Sequence, residues 1–296
     1  MKDHLLIATA YNNEARIYVS YTKTLVEKAR KIHKTWPTAT AALGRLLTAA
    51  SMMSFFNKDE SSLTLRIDGD GPIGWLLAES NAQGEVRGNV DKPDVYLKYN
   101  DSNKLAVGLA IGNGHLTIIR NPHLKNAYSS TVELITSEIA EDLTYYFSSS
   151  EQVPSSVGLG VLVNEDTSIK HAGGFIIQLL PQATEETIIQ IEGALQKLTS
   201  VTNFFDNNKS TNELLTLLAN GTENILEKHE LKYHCECTKK YFSNLLQKLD
   251  ITALETIIKE DKKAEIICQY CKKVYNFTEK ELTEIVTKKQ PWVVVF

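Results

Sequence analysis

Residues 233–238 read Tyr-His-Cys-Glu-Cys-Thr, and residues 265–277 read Glu-Ile-Ile-Cys-Gln-Tyr-Cys-Lys-Lys-Val-Tyr-Asn-Phe. These two stretches hold all four cysteines of the chain: Cys235, Cys237, Cys268 and Cys271. Cysteines used as small core hydrophobes would be scattered, whereas clustered ones in an intracellular chain point to metal or redox chemistry. Two close pairs separated by a helical insert can supply four thiolates to a tetrahedral Zn²⁺, with Zn–S near ~2.3 Å. A four-sulfur shell leaves no position for water, so the spacing points to a closed structural site and not to hydrolytic zinc. Three other readings attach to the same residues: unrelated core cysteines, a thioredoxin-type Cys-x-x-Cys, and an iron–sulfur cluster. The flanks of Cys268 and Cys271 read as strand–turn–strand, where a thioredoxin motif would open a helix. His234 is expected at the surface or behind the ligands.

Around the cysteines, residues 233–296 form a block too small for a robust core without a staple. A structural zinc is typically worth about 10–16 kcal/mol, enough to decide whether such a block folds. Its expected elements are a helix over Thr238–Leu249, capping boxes at Thr252…Glu255 and Thr278…Glu281, and a hairpin over Glu265–Phe277. Zinc keeps the sulfurs as thiolates, the form that oxidants attack, and each close pair can close a disulfide locally once the metal leaves. Oxidation would then eject the metal and withdraw the energy that folds the block.

Upstream, Pro181–Lys232 carries Ile188, Ile191, Leu195 and Leu198 at helical spacing, with Gly193 inside the pattern. A polar break follows at Asp206–Lys209, and a capping box Ser210…Glu213 opens a leucine-rich helix that stops near Gly221. Short helices of this kind cannot bury their own leucines, so they must dock on a neighbour, and Leu217 is expected on the docking face.

Residues 1–180 alternate strand and helix signals. Strands are expected at Ala15–Tyr21, Leu63–Asp68, Trp75–Glu79, Glu85–Val90, Leu105–Ile111, Leu116–Arg120, Thr131–Ile135, Gly158–Val163 and Gly174–Leu180. Helices are expected at Thr38–Phe56, with Leu43, Leu46, Leu47 and Ala50 on one face, and at Glu138–Phe147. The fold class is therefore α+β: a mixed N-terminal domain (1–180), a helical linker (181–232) and a small C-terminal zinc-binding domain (233–296).

Composition narrows the function. The net charge is −4, and all six arginines lie in the first 120 residues, which argues against a dedicated nucleic-acid binder. The longest apolar runs, such as Val293–Val295, fall far short of the ~20 residues of a membrane helix. The N-terminal residues show no signal-peptide core, and a cytoplasmic location is expected. No phosphate loop is present, so ATP is not expected. The histidines form no recognisable triad with a nucleophile, so no enzyme is expected. Asp68-Gly69-Asp70-Gly71 lacks the later glutamate of a calcium loop and reads as a tight turn.

The spacing Cys235-x-Cys237 and Cys268-x-x-Cys271 resembles the heat-shock protein 33 family of redox-regulated chaperones. So do Gly71-Pro72-Ile73-Gly74, Gly84–Gly88, Ser137–Ser155 and Ala172–Pro181, in the family's order along nearly the whole chain. Departures at Asn89, Thr136-Ser137, Gln182 and Thr238-Lys239 touch no cysteine. The resemblance implies an ATP-independent holdase that binds unfolding client proteins during oxidative stress and forms homodimers through its N-terminal domain. It implies one Zn²⁺ per chain on Cys235, Cys237, Cys268 and Cys271 in the reduced, inactive state. It further implies that oxidation forms the disulfides Cys235–Cys237 and Cys268–Cys271, releases zinc and unfolds the linker.

Two other classes compete. A thiol–disulfide oxidoreductase would use Cys268 and Cys271. A zinc-ribbon RNA binder would use the lysine pairs Lys239-Lys240, Lys262-Lys263, Lys272-Lys273 and Lys288-Lys289.

Overall fold

The computed structural model describes residues 1–56, 62–100, 104–121 and 127–289. They group into two units, Met1–His234 and the residues from Cys235 onward. The apolar run Val293–Val295 lies outside the described residues.

The first unit runs β1 (His4–Ala10), β2 (Ala15–Tyr21), α1 (Lys23–His33), α2 (Pro37–Met53), β3 (Ser62–Gly69), β4 (Trp75–Asn81), β5 (Glu85–Val90), α3 (Val107–Ile111), β6 (Gly114–Arg120) and β7 (Tyr128–Glu133). It continues with α4 (Ala140–Tyr146), which widens into a π-turn, then β8 (Ser155–Val163), β9 (Ile169–Leu179), α5 (Glu185–Gln196), α6 (Val201–Asp206), α7 (Thr211–Leu218), β10 (Asn224–Glu230) and β11 (Lys232–Tyr233). The strands form two sheets, ordered β10-β1-β2-β9-β8 and β11-β5-β4-β3-β6-β7. All pairs are antiparallel except β11 with β5.

Helix α2 packs against strands of both sheets. Its sequence predicts one apolar face, yet every residue except Pro37 and Arg45 is buried. The reason lies in its alanine, threonine and serine positions, which are small enough to let sheet strands close over the remaining sides. Gly44 marks the tightest approach, since a Cβ there would fall 2.7 Å from Val26 and 2.8 Å from Val161.

The segment Leu105–Ile111, expected as a strand, instead forms the short helix α3 over Val107–Ile111. Its last carbonyls receive partners from outside: Ile73 N donates to Ala110 O at 3.0 Å, and Gly71 N donates to Ile111 O at 2.8 Å. The Gly71–Gly74 turn thus satisfies a helix end that β-propensity alone would not favour.

Helices α5–α7 cover one face of the five-stranded sheet. Ile191, Val201, Phe205, Leu214, Leu215 and Leu218 form a second core with Leu6, Ile17, Val19, Tyr21, Phe175 and Ile177. Each helix has a side-chain cap at its start, from Thr184, Ser200 and Ser210, and the Ser210–Glu213 box is complete. Leu217 corrects the sequence expectation: it is only half-buried, while Leu214, Leu215 and Leu218 are fully buried. Gly193 faces open space, with no atom within 4 Å of where its Cβ would stand. Past α7 the rest of the segment up to Lys232 is not helical. Residues 224–230, expected within a helical stretch, add β10 to the sheet edge beside β1.

The segment then enters the main core. Leu231 and Tyr233 are buried there, and the Tyr233 hydroxyl donates to Gly88 O at 3.1 Å.

The second unit holds α8 (Lys239–Leu246), α9 (Ile251–Asp261), β12 (Lys263–Ile267), β13 (Val274–Thr278) and α10 (Glu279–Lys289). The β12–β13 hairpin and the Thr278–Glu281 box follow the sequence. The box expected at Thr252 does not form. Asp250 occupies the cap position of α9, so Thr252 falls within the first turn, where its carbonyl accepts from Thr256.

Candidate metal centre

Two backbone arms bring the four cysteines together. In the first, residues 234–238 carry no regular structure, and Thr238 ends the arm by accepting from Tyr241 N at 3.1 Å to start α8. In the second, the β12–β13 hairpin turns through residues 268–273. Cys268 N donates to Lys273 O and Lys272 N donates to Cys268 O, both at 2.9 Å. Lys272 takes the left-handed conformation at φ 57°, which closes the turn.

All four Sγ atoms lie within 4.8 Å of one another. Cys235 and Cys268 are 3.7 Å apart, and Cys237 and Cys271 are 3.2 Å apart. Four sulfurs held ~2.3 Å from a tetrahedral zinc would lie about 3.8 Å apart, so the observed spread suits that ion. Cys268 is buried and the other three are half-buried, with Phe242, Leu246, Leu254, Phe277, Leu282 and Ile285 packed around them. The sulfurs thus form one wall of a small apolar core.

Burial pushes the thiols of Cys235, Cys237 and Cys271 up from their usual range. Cys268 is also desolvated, but the amides of Cys271 and Tyr270 aim at its sulfur and bring its thiol down. Four thiolates packed this closely repel one another, and a divalent cation at their centre would offset that repulsion.

Cys268 and Cys271 sit on the turn of a hairpin and not in the first turn of a helix, where a thioredoxin-type pair would stand. Among the lysine pairs, Lys239 is engaged. It pairs with Glu281 at 2.5 Å and lies over the Phe277 ring. His234, in the first unit, has its Nε2 3.8 Å from Glu85.

One residue at the centre escaped sequence reading. Tyr275, on β13, donates its hydroxyl to Cys237 O at 2.7 Å, and the same oxygen lies 3.3 Å from Cys237 Sγ. Its bond to Cys237 pushes the phenol up from its usual range, so it stays protonated. The only signal was its place in the strand alternation four residues after Cys271.

Comparison with known proteins places this geometry. A family model described as "Hsp33 protein" matches residues 3–278. The 33 kDa chaperonin of Acholeplasma laidlawii is 49% identical over 292 residues, covering 98% of this chain and 100% of that one. The 33 kDa chaperonin of Geobacillus kaustophilus is 44% identical over 287 residues, covering 96% and 98%. The solved structure of the 33 kDa chaperonin from Thermotoga maritima superposes with a TM-score of 0.90 at 34% identity, covering 98% of this chain and 99% of that chain.

Proposed function

The chain belongs to the Hsp33 family, and from this premise we propose that it is a redox-regulated, ATP-independent holdase. Its chaperone role follows from the family. The regulation rests on two arrangements, the sulfur cluster and a covered sheet face. The carrying observation is that the apolar face of the five-stranded sheet, with Leu6, Ile17, Val19, Tyr21, Phe175 and Ile177, is covered by short capped helices. Helices of this length are held mainly by tertiary contact, so they can detach without unfolding the two sheets.

In the reduced state, Cys235, Cys237, Cys268 and Cys271 would hold one Zn²⁺. When bound, the ion keeps the sulfurs as thiolates and supplies folding energy to the C-terminal unit. Peroxide oxidation of one pair consumes two thiolates, two protons and one peroxide. The first sulfur takes one peroxide oxygen as sulfenic acid and releases water; the second sulfur displaces that oxygen as a second water, forming S–S. The pairs proposed are Cys235–Cys237 and Cys268–Cys271, close neighbours that can meet once the two arms part. Without thiolates the centre cannot hold a metal, and the C-terminal unit loses its staple.

Release of α5–α7, the helical part of residues 181–232, would then expose the sheet face to unfolding client proteins while β10 stays paired with β1. A homodimer through the N-terminal unit, a cytoplasmic location and the absence of an enzymatic role complete the reading. Among the described residues, no helix is long and apolar enough to cross a membrane.

The test measures zinc release and suppression of client light scattering together, with and without peroxide. Coincident onset of both supports the proposal. Full suppression by the reduced, zinc-loaded protein would overturn it, and catalytic turnover of insulin disulfides would assign an oxidoreductase instead.

A further inference from the structure

We propose that Tyr275 is a positioning residue of the cysteine centre, whose hydroxyl ties the Cys237 arm to the hairpin and slows oxidation of the first cysteine pair. The inference rests on the metal-centre reading above. Three sulfurs receive backbone amides: Cys235 from Cys237, Cys268 from Cys271 and Tyr270, and Cys271 from Lys273. At Cys237 the polar partner is instead a side chain, the Tyr275 hydroxyl at 3.3 Å from Sγ. That hydroxyl also bonds Cys237 O at 2.7 Å, so one oxygen holds both the backbone and the sulfur of the first arm. The ring is fixed by Phe242, with centroids 5.0 Å apart, and its strand is paired across the hairpin, Tyr275 facing Ile266.

Two consequences follow. The hydroxyl has a single proton and donates it to Cys237 O, so at Sγ it acts by contact, holding the sulfur in place instead of donating to it. The carbonyl tie keeps the Cys237 arm against the hairpin that bears Cys268 and Cys271, resisting the separation that local Cys235–Cys237 pairing requires. The first pair is therefore slower to oxidise than the backbone geometry alone would make it.

The experiment compares the full-length protein with Tyr275→Phe, which keeps the ring on Phe242 and removes only the hydroxyl. Both are loaded with Zn²⁺ and exposed to peroxide, and each cysteine is followed by timed alkylation and mass spectrometry. Oxidation at Cys235 and Cys237 is expected to accelerate about tenfold in the variant, the lower end of what loss of an outer partner costs a ligand. Cys268 and Cys271 should lag behind. In Co²⁺-substituted protein the thiolate-to-cobalt charge-transfer band should shift in the variant, because the Cys237 arm is no longer held in place. Wild-type oxidation rates at the first pair with an unmoved band would overturn the inference. Should the wild-type chain hold neither Zn²⁺ nor Co²⁺, the metal reading fails separately. Alkylation of the reduced, metal-free chain then decides the role of Tyr275: a raised Cys237-to-Cys271 ratio in the variant sustains it, and an unchanged ratio overturns it.

Discussion

The ring of Phe205 on α6 occupies the space that a side chain at Gly173 of β9 would fill: a Cβ there would stand 2.7 Å from Phe205 Cε2. The same helix meets a second glycine on the neighbouring strand, where a Cβ at Gly160 would stand 2.6 Å from Thr202 Cγ2. Residues 201–206 therefore lie close over a bare track on β8 and β9, and their docking depends on side chains that are absent.

Gly160→Ala should lift α6 from that track, weakening its docking by about 1–3 kcal/mol, the usual effect of overpacking. Amide exchange over Val201–Asp206 should quicken, and the reduced protein should begin to suppress aggregation. Thr202→Ala removes the opposing methyl and should restore protection in the double variant. Non-additivity of this kind is the mark of direct contact. Equal exchange in all three proteins would show that the track does not govern docking.

Leu215→Glu places a carboxylate at a fully buried position of α7 and should cost several kcal/mol. Aggregation suppression is expected from this variant while it is still reduced and zinc-loaded. Leu217→Glu, at a half-buried position, should behave nearly as wild type. If Leu215→Glu opens residues 181–232 to exchange yet stays inactive until oxidised, this segment is a tether and not the cover of the client site.

Acid should loosen α6 through His171. Its Nε2 lies 3.3 Å from Asp206 of α6, its Nδ1 3.2 Å from the Tyr21 hydroxyl, and Lys170 also pairs with Asp206. Burial, outweighing the pull of Asp206, holds the folded imidazole below its ordinary 6.5. A depressed folded value means that the stability is present above about pH 6.5 and is lost as pH falls through the lower folded value. Asp206 is itself held below its ordinary 3.8, so its own loss comes in a more acidic window. Exchange of residues 201–206, corrected for intrinsic rates, should rise between about pH 7.5 and about 5.5. The rise should vanish in His171→Gln, and its persistence there would assign it elsewhere.

Reduced protein should carry about one Zn²⁺ per chain, and Cys237→Ser should weaken binding strongly by breaking the sulfur tetrahedron. Metal analysis checks the stoichiometry, and full occupancy in a Cys235→Ser/Cys237→Ser variant would refute the centre. After peroxide, peptide mapping should find Cys235 joined to Cys237 and Cys268 to Cys271. In the reduced arrangement the shortest sulfur contacts run between the arms, Cys235 to Cys268 and Cys237 to Cys271. Dominant links between those partners would mean that the C-terminal unit stays folded during oxidation.

Several features were legible because their causes are local. Alternating β-branched and aromatic residues marked β2 at Ala15–Tyr21, and glycine-bounded runs marked β3, β4 and β5. Cysteine spacing marked each close pair as local neighbours and four sulfurs as one candidate cluster, while the meeting of the two pairs, 30 residues apart, is made by the tertiary fold. Other elements went unread. Strand β1 (His4–Ala10) is buried along its whole length, so it has no polar alternation to betray it. Strand β10 is exposed over most of its length, and its assignment rests on pairing with β1, a partner more than two hundred residues away.

What the sequence alone determined, then, is chemistry set by neighbours in the chain: the sulfur donors, the caps at Ser210 and Thr278, and the need of the leucines after Pro181 for a docking partner. Only the tertiary structure decided which surface that partner is. The outer face of the five-stranded sheet receives Phe205 because Gly173 leaves room, and Leu215 faces that core while Leu217 does not. It also decided that Tyr275 reaches Cys237, a contact across 38 positions of sequence. Side-chain packing and long-range hydrogen bonds depend on which backbones approach one another, and no periodicity within a single segment encodes that approach.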